Sequence, residues 1–187
     1  MSSPPVSDEV LIARVVVRDD RHAFGELVRR HQSVVRATLR KLLGGNTALA
    51  DDLAQETFLL AYRNLKQFRQ EAKFSTWLYR IAYNVFLADA RRMKELPMPE
   101  DSDVDEMAQG DSGGASVSRQ ATLAVDLERA MSALSDAERA AIVQCYHNDL
   151  SHEEAAVVLG CPVGTVKTHI LRAKQKLKAR LGAWAPG

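Results

Sequence analysis

Apolar residues recur every three or four positions along most of this 187-residue chain, which is the spacing of one face of an α-helix. In the first half the pattern predicts a helix starting at Asp8, followed by longer helices over 21–43, 47–68 and 74–94. The run Gly44-Gly45-Asn46 interrupts it, as expected of a connection between helices. No stretch shows the period-2 alternation of a β-strand, so the sequence predicts an all-α fold. Connections this short favour a compact antiparallel bundle.

Each of the longer helices has an apolar face that we expect to be buried. In the second helix this face consists of Phe24, Leu27, Val28, Val34, Val35, Leu39 and Leu42. In the third helix it consists of Leu53, Phe58, Leu59, Ala61, Tyr62 and Leu65. Asp52, Gln55 and Glu56 fall outside that face, and composition alone favours an ordinary solvated surface for them.

Helical spacing resumes in the last third of the chain. Two S-x-x-E patterns, at 135–138 and 151–154, each predict a capped helix start. The first is expected to open a helix that reaches His147. The second opens a short helix closed by Gly160, and Pro162 suits the first turn of a longer helix. The result is a helix-turn-helix. Its long helix is expected to bury Val163, Val166, Ile170, Ala173, Leu177 and Leu181.

The charge pattern separates these two groups of helices. Residues 21–95 hold 14 basic and 7 acidic side chains, whereas 96–118 hold six acidic side chains and no basic one. Such a polar, single-sign segment cannot bury a core. We therefore predict two small helical domains joined by a flexible acidic linker, and we expect each domain to fold without the other. The layout is an N-terminal segment with the first helix at 1–20, a first domain at 21–94, a linker at 95–118, a second domain at 119–182 and a tail at 183–187.

Composition and motifs exclude several classes of function. Cys145 and Cys161 are the only cysteines, and their separation matches neither a disulfide framework nor a zinc site. The sequence has no phosphate-binding loop, metal-ligand spacing or G-x-S-x-G motif, so we expect neither an enzyme nor a bound cofactor. It shows no signal peptide and no apolar stretch approaching about 18 residues. We therefore expect a cytoplasmic protein without membrane insertion of its own.

Two features point to nucleic acid. From Gly160 onward there are six basic residues and no acidic one, whereas a solvated structural helix usually mixes signs. The alternative to a DNA-binding helix is an ordinary surface helix with an excess of basic side chains. Six of the eleven aromatic residues lie between Phe68 and Phe86, interleaved with basic side chains, and this composition binds single-stranded bases. A core role for the same rings is also open, and we expect Trp77 to be mostly buried.

A free-standing helix-turn-helix regulator would account for the last domain alone. Such a protein normally dimerises to read two half-sites, and the sequence offers no long apolar seam for a dimer. This alternative also leaves the cluster of aromatic and basic residues in the first domain unexplained.

Several stretches together resemble the bacterial RNA polymerase sigma factors of the sigma-70 family. They are DDLAQETF from Asp51, FSTWLYRIAYN from Phe74 and LSHEEAAVVLGCPVGTVKTHILRAKQKL from Leu150, with the acidic linker between the last two. The layout of two domains without extra regions is similar to that of the extracytoplasmic-function (ECF) group.

The resemblance implies a function, partners and a set of residues. A sigma factor binds core RNA polymerase and directs it to promoter DNA, where the first domain melts the −10 element and the second reads the −35 element as duplex. An anti-sigma partner is also implied. The residues at core-binding positions are Asp52, Gln55, Glu56 and Phe58. Those at −10 positions are Phe68, Arg69, Lys73, Phe74, Arg80, Asn84 and Arg91. Those at −35 positions are Thr165, Lys167, Thr168, His169, Leu171, Arg172 and Lys176, although many members carry arginine where Lys167 and His169 stand.

Overall fold

The computed structural model describes residues 6–95 and 127–181. Within these two ranges the regular structure is entirely helical, which confirms the all-α prediction. The helices are α1 Asp8–Arg18, α2 Arg21–Leu42, α3 Thr47–Asn64, α4 Phe74–Glu95, α5 Asp136–Ile142, α6 His152–Leu159 and α7 Val163–Leu181. Residues 127–132 are also helical. None of the helices in the described ranges combines the length and apolarity of a membrane span. Nearly all of the predicted linker, and the predicted tail, lie outside the described residues.

The first domain consists of α1 to α4, and side-chain caps set where its long helices begin. The Asp20 carboxylate accepts a hydrogen bond from the N–H of Ala23 at 3.0 Å, and the Asn46 amide oxygen accepts one from Leu49 at 3.1 Å. Such a bond satisfies one of the N–H groups that a helix start leaves unpaired. Gly45, between α2 and α3, has a φ of 95°, a conformation that favours glycine. The predicted break is therefore confirmed.

Two residues that the apolar pattern placed in the core are exposed. Val34 is 37% exposed and Leu59 is 59% exposed, whereas Thr38 and Thr57 on the same two helices are fully buried. Val34 and Leu59 each adjoin a buried residue in the sequence and point about 100° away from it around the helix. Only one residue of each such pair can face the core. The hydroxyl of Thr57 donates to a backbone carbonyl one turn back, whereas Thr38 faces the second domain.

The second domain follows the two predicted capping boxes. The Ser135 N–H donates to Glu138 at 2.9 Å, and the Glu138 N–H donates back to the Ser135 hydroxyl at 3.3 Å. Ser151 and Glu154 repeat the arrangement at 2.9 and 3.1 Å. Gly160 ends α6 with a φ of 64°, the left-handed conformation predicted for it. These contacts confirm the helix-turn-helix.

Two helices end earlier than predicted. Helix α3 stops before a 3-10 turn at Leu65–Gln67 and does not reach Phe68 as a regular helix. Helix α5 stops at Ile142, and Val143–His147 form a π-helical turn. The N–H of Asn148 bonds to the carbonyl of Val143 at 3.0 Å, five positions back. A π turn of this kind changes the direction of the side chains that follow it.

The two domains pack against each other. Helix α6 lies against α4, and the π turn and α5 lie against α2, so that one apolar core continues through both domains. Thr38 Oγ1 donates to Asn148 Oδ1 at 2.8 Å, and Asn148 Nδ2 donates to Gln144 Oε1 at 2.8 Å. Arg139 Nη1 donates to the carbonyl of Leu42, the last residue of α2, at 3.0 Å. The sequence did not predict this interface.

Candidate polymerase and nucleic-acid interfaces

Helix α7 divides into a buried and an exposed face. Val166, Ile170 and Ala173 are buried, which confirms the centre of the predicted stripe, and the stripe is half-buried at Val163, Leu177 and Leu181. Among the predicted −35 residues, Lys167, Thr168, Leu171, Arg172 and Lys176 are exposed, whereas Thr165 and His169 are half-buried. The exposed face therefore presents cations, a hydroxyl and a leucine to solvent. These groups can contact phosphates, base edges and the thymine methyl group in a major groove.

The positive charge of α7 is partly neutralised within the domain. Lys176 Nζ lies 2.7 Å from Glu138 Oε2, and Lys174 Nζ lies 5.0 Å from the centre of the Tyr146 ring. The hydrogen bond from Lys176, followed by that from the Ser135 N–H, lowers the pKa of the Glu138 carboxyl. Four other cations on α7 form no ion pair with any residue in the described ranges: Lys167, Arg172, Lys178 and Arg180.

Three aromatic rings lie at the base of the loop formed by residues 69–73. The ring centres are 5.7 Å apart for Phe68 and Phe74, 5.2 Å for Phe68 and Trp77, and 5.8 Å for Phe74 and Trp77. His31 of α2 meets Phe74 edge-on at 5.3 Å. Phe74 is buried, whereas Phe68 and Trp77 are only half-buried. The cluster therefore belongs to the core and also reaches the surface.

Polar side chains continue from this loop along α4. Residues 69–73 are all exposed, as are Arg80, Asn84 and Arg91. Lys73, Arg80, Asn84 and Arg91 are separated by seven, four and seven positions, which places them along one side of a helix. Accessible rings next to cations and an amide suit stacked bases and their phosphates.

A groove of 540 Å³ lies between α2 and α3. Its lining is mostly apolar and comprises Arg21, Phe24, Val28, Gln32, Arg36, Ala54, Gln55, Phe58, Leu59 and Tyr62. Asp52, Gln55 and Glu56 are exposed, as their position off the apolar stripe predicts. Phe58 is only 8% exposed and is mainly a core residue. Leu59 stands exposed at the groove, and sequence analysis missed it because it follows Phe58 in an apolar run.

No group of three metal-ligating side chains comes together within 6–95 and 127–181. Fold and surfaces define a two-domain helical DNA-binding protein, with a helix-turn-helix in one domain and both an aromatic-basic surface and an apolar groove in the other.

Comparison with known proteins names the family. The family models Sigma-70 region 2 and Sigma-70, region 4 match residues 27–95 and 124–177. The chain is 36% identical to the ECF RNA polymerase sigma-E factors of Escherichia coli (strain K12) and Salmonella typhimurium (strain LT2) over an alignment of 189 positions, which covers 94% of this chain and 94% of each relative. It is 37% identical to the ECF RNA polymerase sigma factor SigE of Mycolicibacterium smegmatis over 160 residues, covering 83% of this chain and 60% of that protein. The chain belongs to the sigma-70 family, in its ECF group.

Solved structures extend the likeness to both domains. The chain is similar to CnrH in complex with the cytosolic domain of CnrY, with a TM-score of 0.69 and 28% identity over 95% of this chain and 99% of the other. It is also similar to the sigma factor RpoE in complex with the anti-sigma factor NepR from Bartonella quintana, with a TM-score of 0.69 and 26% identity over 85% and 96%. The protein is thus a transcription initiation factor, not an enzyme, that binds core RNA polymerase and directs it to promoters. The alternative of a free-standing regulator is set aside.

Proposed function

We propose that the groove, the aromatic-basic surface and helix α7 serve core binding, −10 melting and −35 reading, respectively. This assignment rests on the observation that the three surfaces are separate from one another on the fold. Each set of accessible side chains lies on its own part of the fold, and the two DNA-reading sets lie on different domains. One subunit can therefore bind polymerase, a melted strand and a duplex at the same time once its domains are placed along a promoter.

The groove between α2 and α3 is the proposed polymerase site. Its apolar lining and the exposed Leu59 supply the desolvated centre that a stable protein interface needs. Gln55 lies in the lining together with Arg21 and Arg36, and Asp52 and Glu56 are exposed on the same helix as Gln55. Phe58 supports the groove from beneath.

The loop 69–73 and Asn84 form the proposed −10 pocket. A base inside a duplex cannot be read on its Watson–Crick edge, so it must be extruded from the stack. Phe68 and Trp77 offer accessible ring surface on which bases stack, and the basic residues of the loop and α4 lie where phosphates follow. Asn84 supplies an amide that can pair with a base edge.

Helix α7 is the proposed −35 reader. Arg172 and Lys167 are exposed and form no ion pair among the described residues, so both can reach guanine acceptors or phosphates. Leu171 suits a thymine methyl group. Lys176 already pairs with Glu138, so we expect it to contribute least to DNA binding.

An anti-sigma protein is the proposed regulatory partner. NepR, in complex with the similar RpoE, is described as an anti-sigma factor. The present chain shares that two-domain fold and therefore the surfaces on which such a protein can act. Because core polymerase and chromosomal promoters are in the cytoplasm, we propose that this chain acts there.

Transcription from promoter libraries tests the assignment. Holoenzyme reconstituted with wild-type protein or with a variant in which residues 69–73 are replaced is assayed on two libraries, one randomised at −10 and one at −35. The loop variant should change the preferred −10 base and keep the −35 preference, because a flipped base is read by the pocket around it. Arg172→Ala is the matched control, and it should change the −35 preference and keep the preferred −10 base. A loop variant with wild-type −10 preference would refute the pocket.

A further inference from the structure

His31 of α2 connects the N-terminal helix α1 to the aromatic cluster at the base of the loop 69–73. Its Nε2 lies 2.7 Å from Oδ2 of Asp8, in the first turn of α1. Its ring meets Phe74 edge-on, with the ring centres 5.3 Å apart. The His31 side chain is 19% exposed, that of Asp8 is 25% exposed, and Phe74 is buried. A continuous and largely shielded set of contacts therefore runs from α1 to the surface proposed for the −10 element.

Asp8 fixes the orientation of the His31 ring. An ionised carboxylate only accepts hydrogen bonds, so the Nε2–H of His31 is the donor. A hydrogen bond to one ring nitrogen selects the tautomer and restrains rotation of the ring. Because the strength of an edge-on aromatic contact depends on the relative orientation of its rings, Asp8 determines how His31 packs against Phe74.

A second contact from α2 holds Asp8 itself in place. Nη1 of Arg30 donates to the other Asp8 oxygen at 3.0 Å and to the carbonyl of Val6 at 2.6 Å. Nε of the same guanidinium donates to Glu26 at 3.0 Å, which fixes Arg30 along α2. Each oxygen of the Asp8 carboxylate thus bonds to α2, and the start of α1 is tied to the fold beside the aromatic cluster.

Helix α1 also supports the other end of the loop 69–73. It packs against the 3-10 turn Leu65–Gln67, which leads into Phe68. Leu65 in that turn is 1% exposed, and Val15 of α1 is 5% exposed. The loop therefore begins on a turn that contacts α1 directly and ends at Phe74, which contacts α1 through His31.

We propose that Asp8 and His31 are positioning residues for −10 reading. They act through Phe74, which they hold in the arrangement with Phe68 and Trp77 that selects the flipped base. Loss of one edge-on ring contact should lower the population of that arrangement about 2- to 13-fold, and selectivity for the base should fall by up to the same factor. The inference rests on the −10 pocket proposed above and gives α1 a part in promoter selection.

Fluorescence of Trp77 tests the positioning without DNA or polymerase. The chain has two tryptophans, so Trp184→Phe leaves Trp77 as the reporter in the full-length protein. Asp8→Ala should increase quenching of Trp77 by acrylamide, because the neighbouring Phe74 ring, 5.8 Å away between centres, is no longer fixed. Equal quenching in Asp8→Ala and in the protein with Asp8 intact would overturn the proposal.

Arg14→Ala is the matched control for a general loosening of α1. Arg14 also ties α1 to the start of α2, through Asp20 at 2.7 Å. Asp20 lies eleven residues before His31, or about 16 Å along α2 at about 1.5 Å per residue. Arg14→Ala should therefore leave the quenching of Trp77 unchanged. The same increase in Arg14→Ala as in Asp8→Ala would refute a specific route through His31.

Transcription by reconstituted holoenzyme from the library randomised at −10 measures the effect on base selection. Asp8→Ala and His31→Ala should each reduce the preference for the favoured base about 2- to 13-fold, at unchanged core affinity and −35 preference. His31→Gln keeps a donor for Asp8 but lacks the ring, so it should lose the preference as His31→Ala does. The double variant should lose no more than His31→Ala alone, because Asp8 acts through His31.

The loop variant described above separates this inference from the pocket assignment. An altered −10 preference in the loop variant, with wild-type preference in Asp8→Ala and His31→Ala, would refute the positioning and leave the pocket in place. Wild-type preference in all three would refute both. Additive losses in the double variant, or an equal loss of −35 preference, would also overturn the proposal.

Discussion

Leu59 and Leu171 form a matched pair for separating polymerase binding from DNA binding. Both are leucines on helices, and both are 59% exposed, but Leu59 lies at the α2–α3 groove and Leu171 on the recognition face of α7. We expect Leu59→Ala to weaken binding to core polymerase and Leu171→Ala to leave it unchanged. Because both side chains are 59% exposed, the remaining 41% of each is buried already, and both substitutions should lower the free energy of unfolding by a similar amount of about 0.6–1.2 kcal/mol.

The expected loss follows from the exposed fraction. Full burial of a leucine side chain contributes about 1.5–3 kcal/mol. If core polymerase covers the 59% of Leu59 that is exposed, the contact contributes about 0.9–1.8 kcal/mol, or roughly a 5- to 20-fold change in the Kd for core.

Titration of labelled protein with core polymerase, followed by fluorescence anisotropy, measures that Kd. The same two variants are then assayed as holoenzyme on −35 sequences, where Leu171→Ala should reduce preference for thymine at one position. Equal core affinity for the Leu59 variant and the wild type would show that the groove is not the polymerase site. A comparable loss in both variants would point to a general effect on folding.

Three further outcomes are expected. If Arg172 reads a base, Arg172→Ala should weaken DNA binding by about 1–3 kcal/mol and relax specificity at one −35 position. If Arg172 contacts a phosphate, the substitution should instead reduce the salt dependence of binding by about one ion. Binding isotherms at several salt concentrations distinguish the two, and an unchanged affinity and salt dependence would show that Arg172 is not in the interface. Gln55→Ala combined with Glu56→Ala should weaken core binding at unchanged thermal stability, since both side chains are exposed. Lys176 lowers the pKa of the Glu138 carboxyl below its ordinary value of 4.5, so the ionised carboxylate stabilises the folded domain above that pH. Glu138→Gln should therefore lower the free energy of unfolding of the second domain above pH 4.5. In chemical denaturation, the difference from wild type should shrink as the pH falls through the lowered pKa.

Local sequence signals predicted the parts of the fold that depend on neighbouring residues. The capping boxes at 135–138 and 151–154, the left-handed Gly160 and the glycine break before α3 all form as expected. In each case a side chain or a glycine caps a helix end that lies within a few positions of it along the chain. The residues that cause the feature are therefore neighbours in the sequence. The exposed face of α7 followed in the same way from its helical period.

Features that depend on distant partners were not predictable from those windows. The pattern of α2 gives no sign that Thr38 meets Asn148, 110 positions away. The π turn at 143–147 also has no signal in residue type, since an i→i+5 bond replaces an ordinary helical one. Leu59 was wrongly predicted to be buried, because an apolar residue next to a core residue gives the same sequence pattern whether its side chain is buried or exposed. These surfaces became visible only once the helices were assembled.

The placement of Thr38 has a consequence for how the two DNA-reading domains influence each other. Thr38 and Asn148 connect the domains only while these are docked, and residues without shared partners contribute independently to free energy. In a holoenzyme spanning a promoter, Asn84→Ala and Arg172→Ala should therefore have additive effects on promoter binding. Against isolated DNA, the free protein should deviate from additivity, because its two domains pack against each other and share the hydrogen bond between Thr38 and Asn148. Transcription by holoenzyme with the wild type, each single variant and the double variant gives the coupling energy on the promoter. Direct DNA binding by the same four proteins without polymerase gives the coupling energy in the free protein. Equal coupling in both would mean that the domains act independently before polymerase binds.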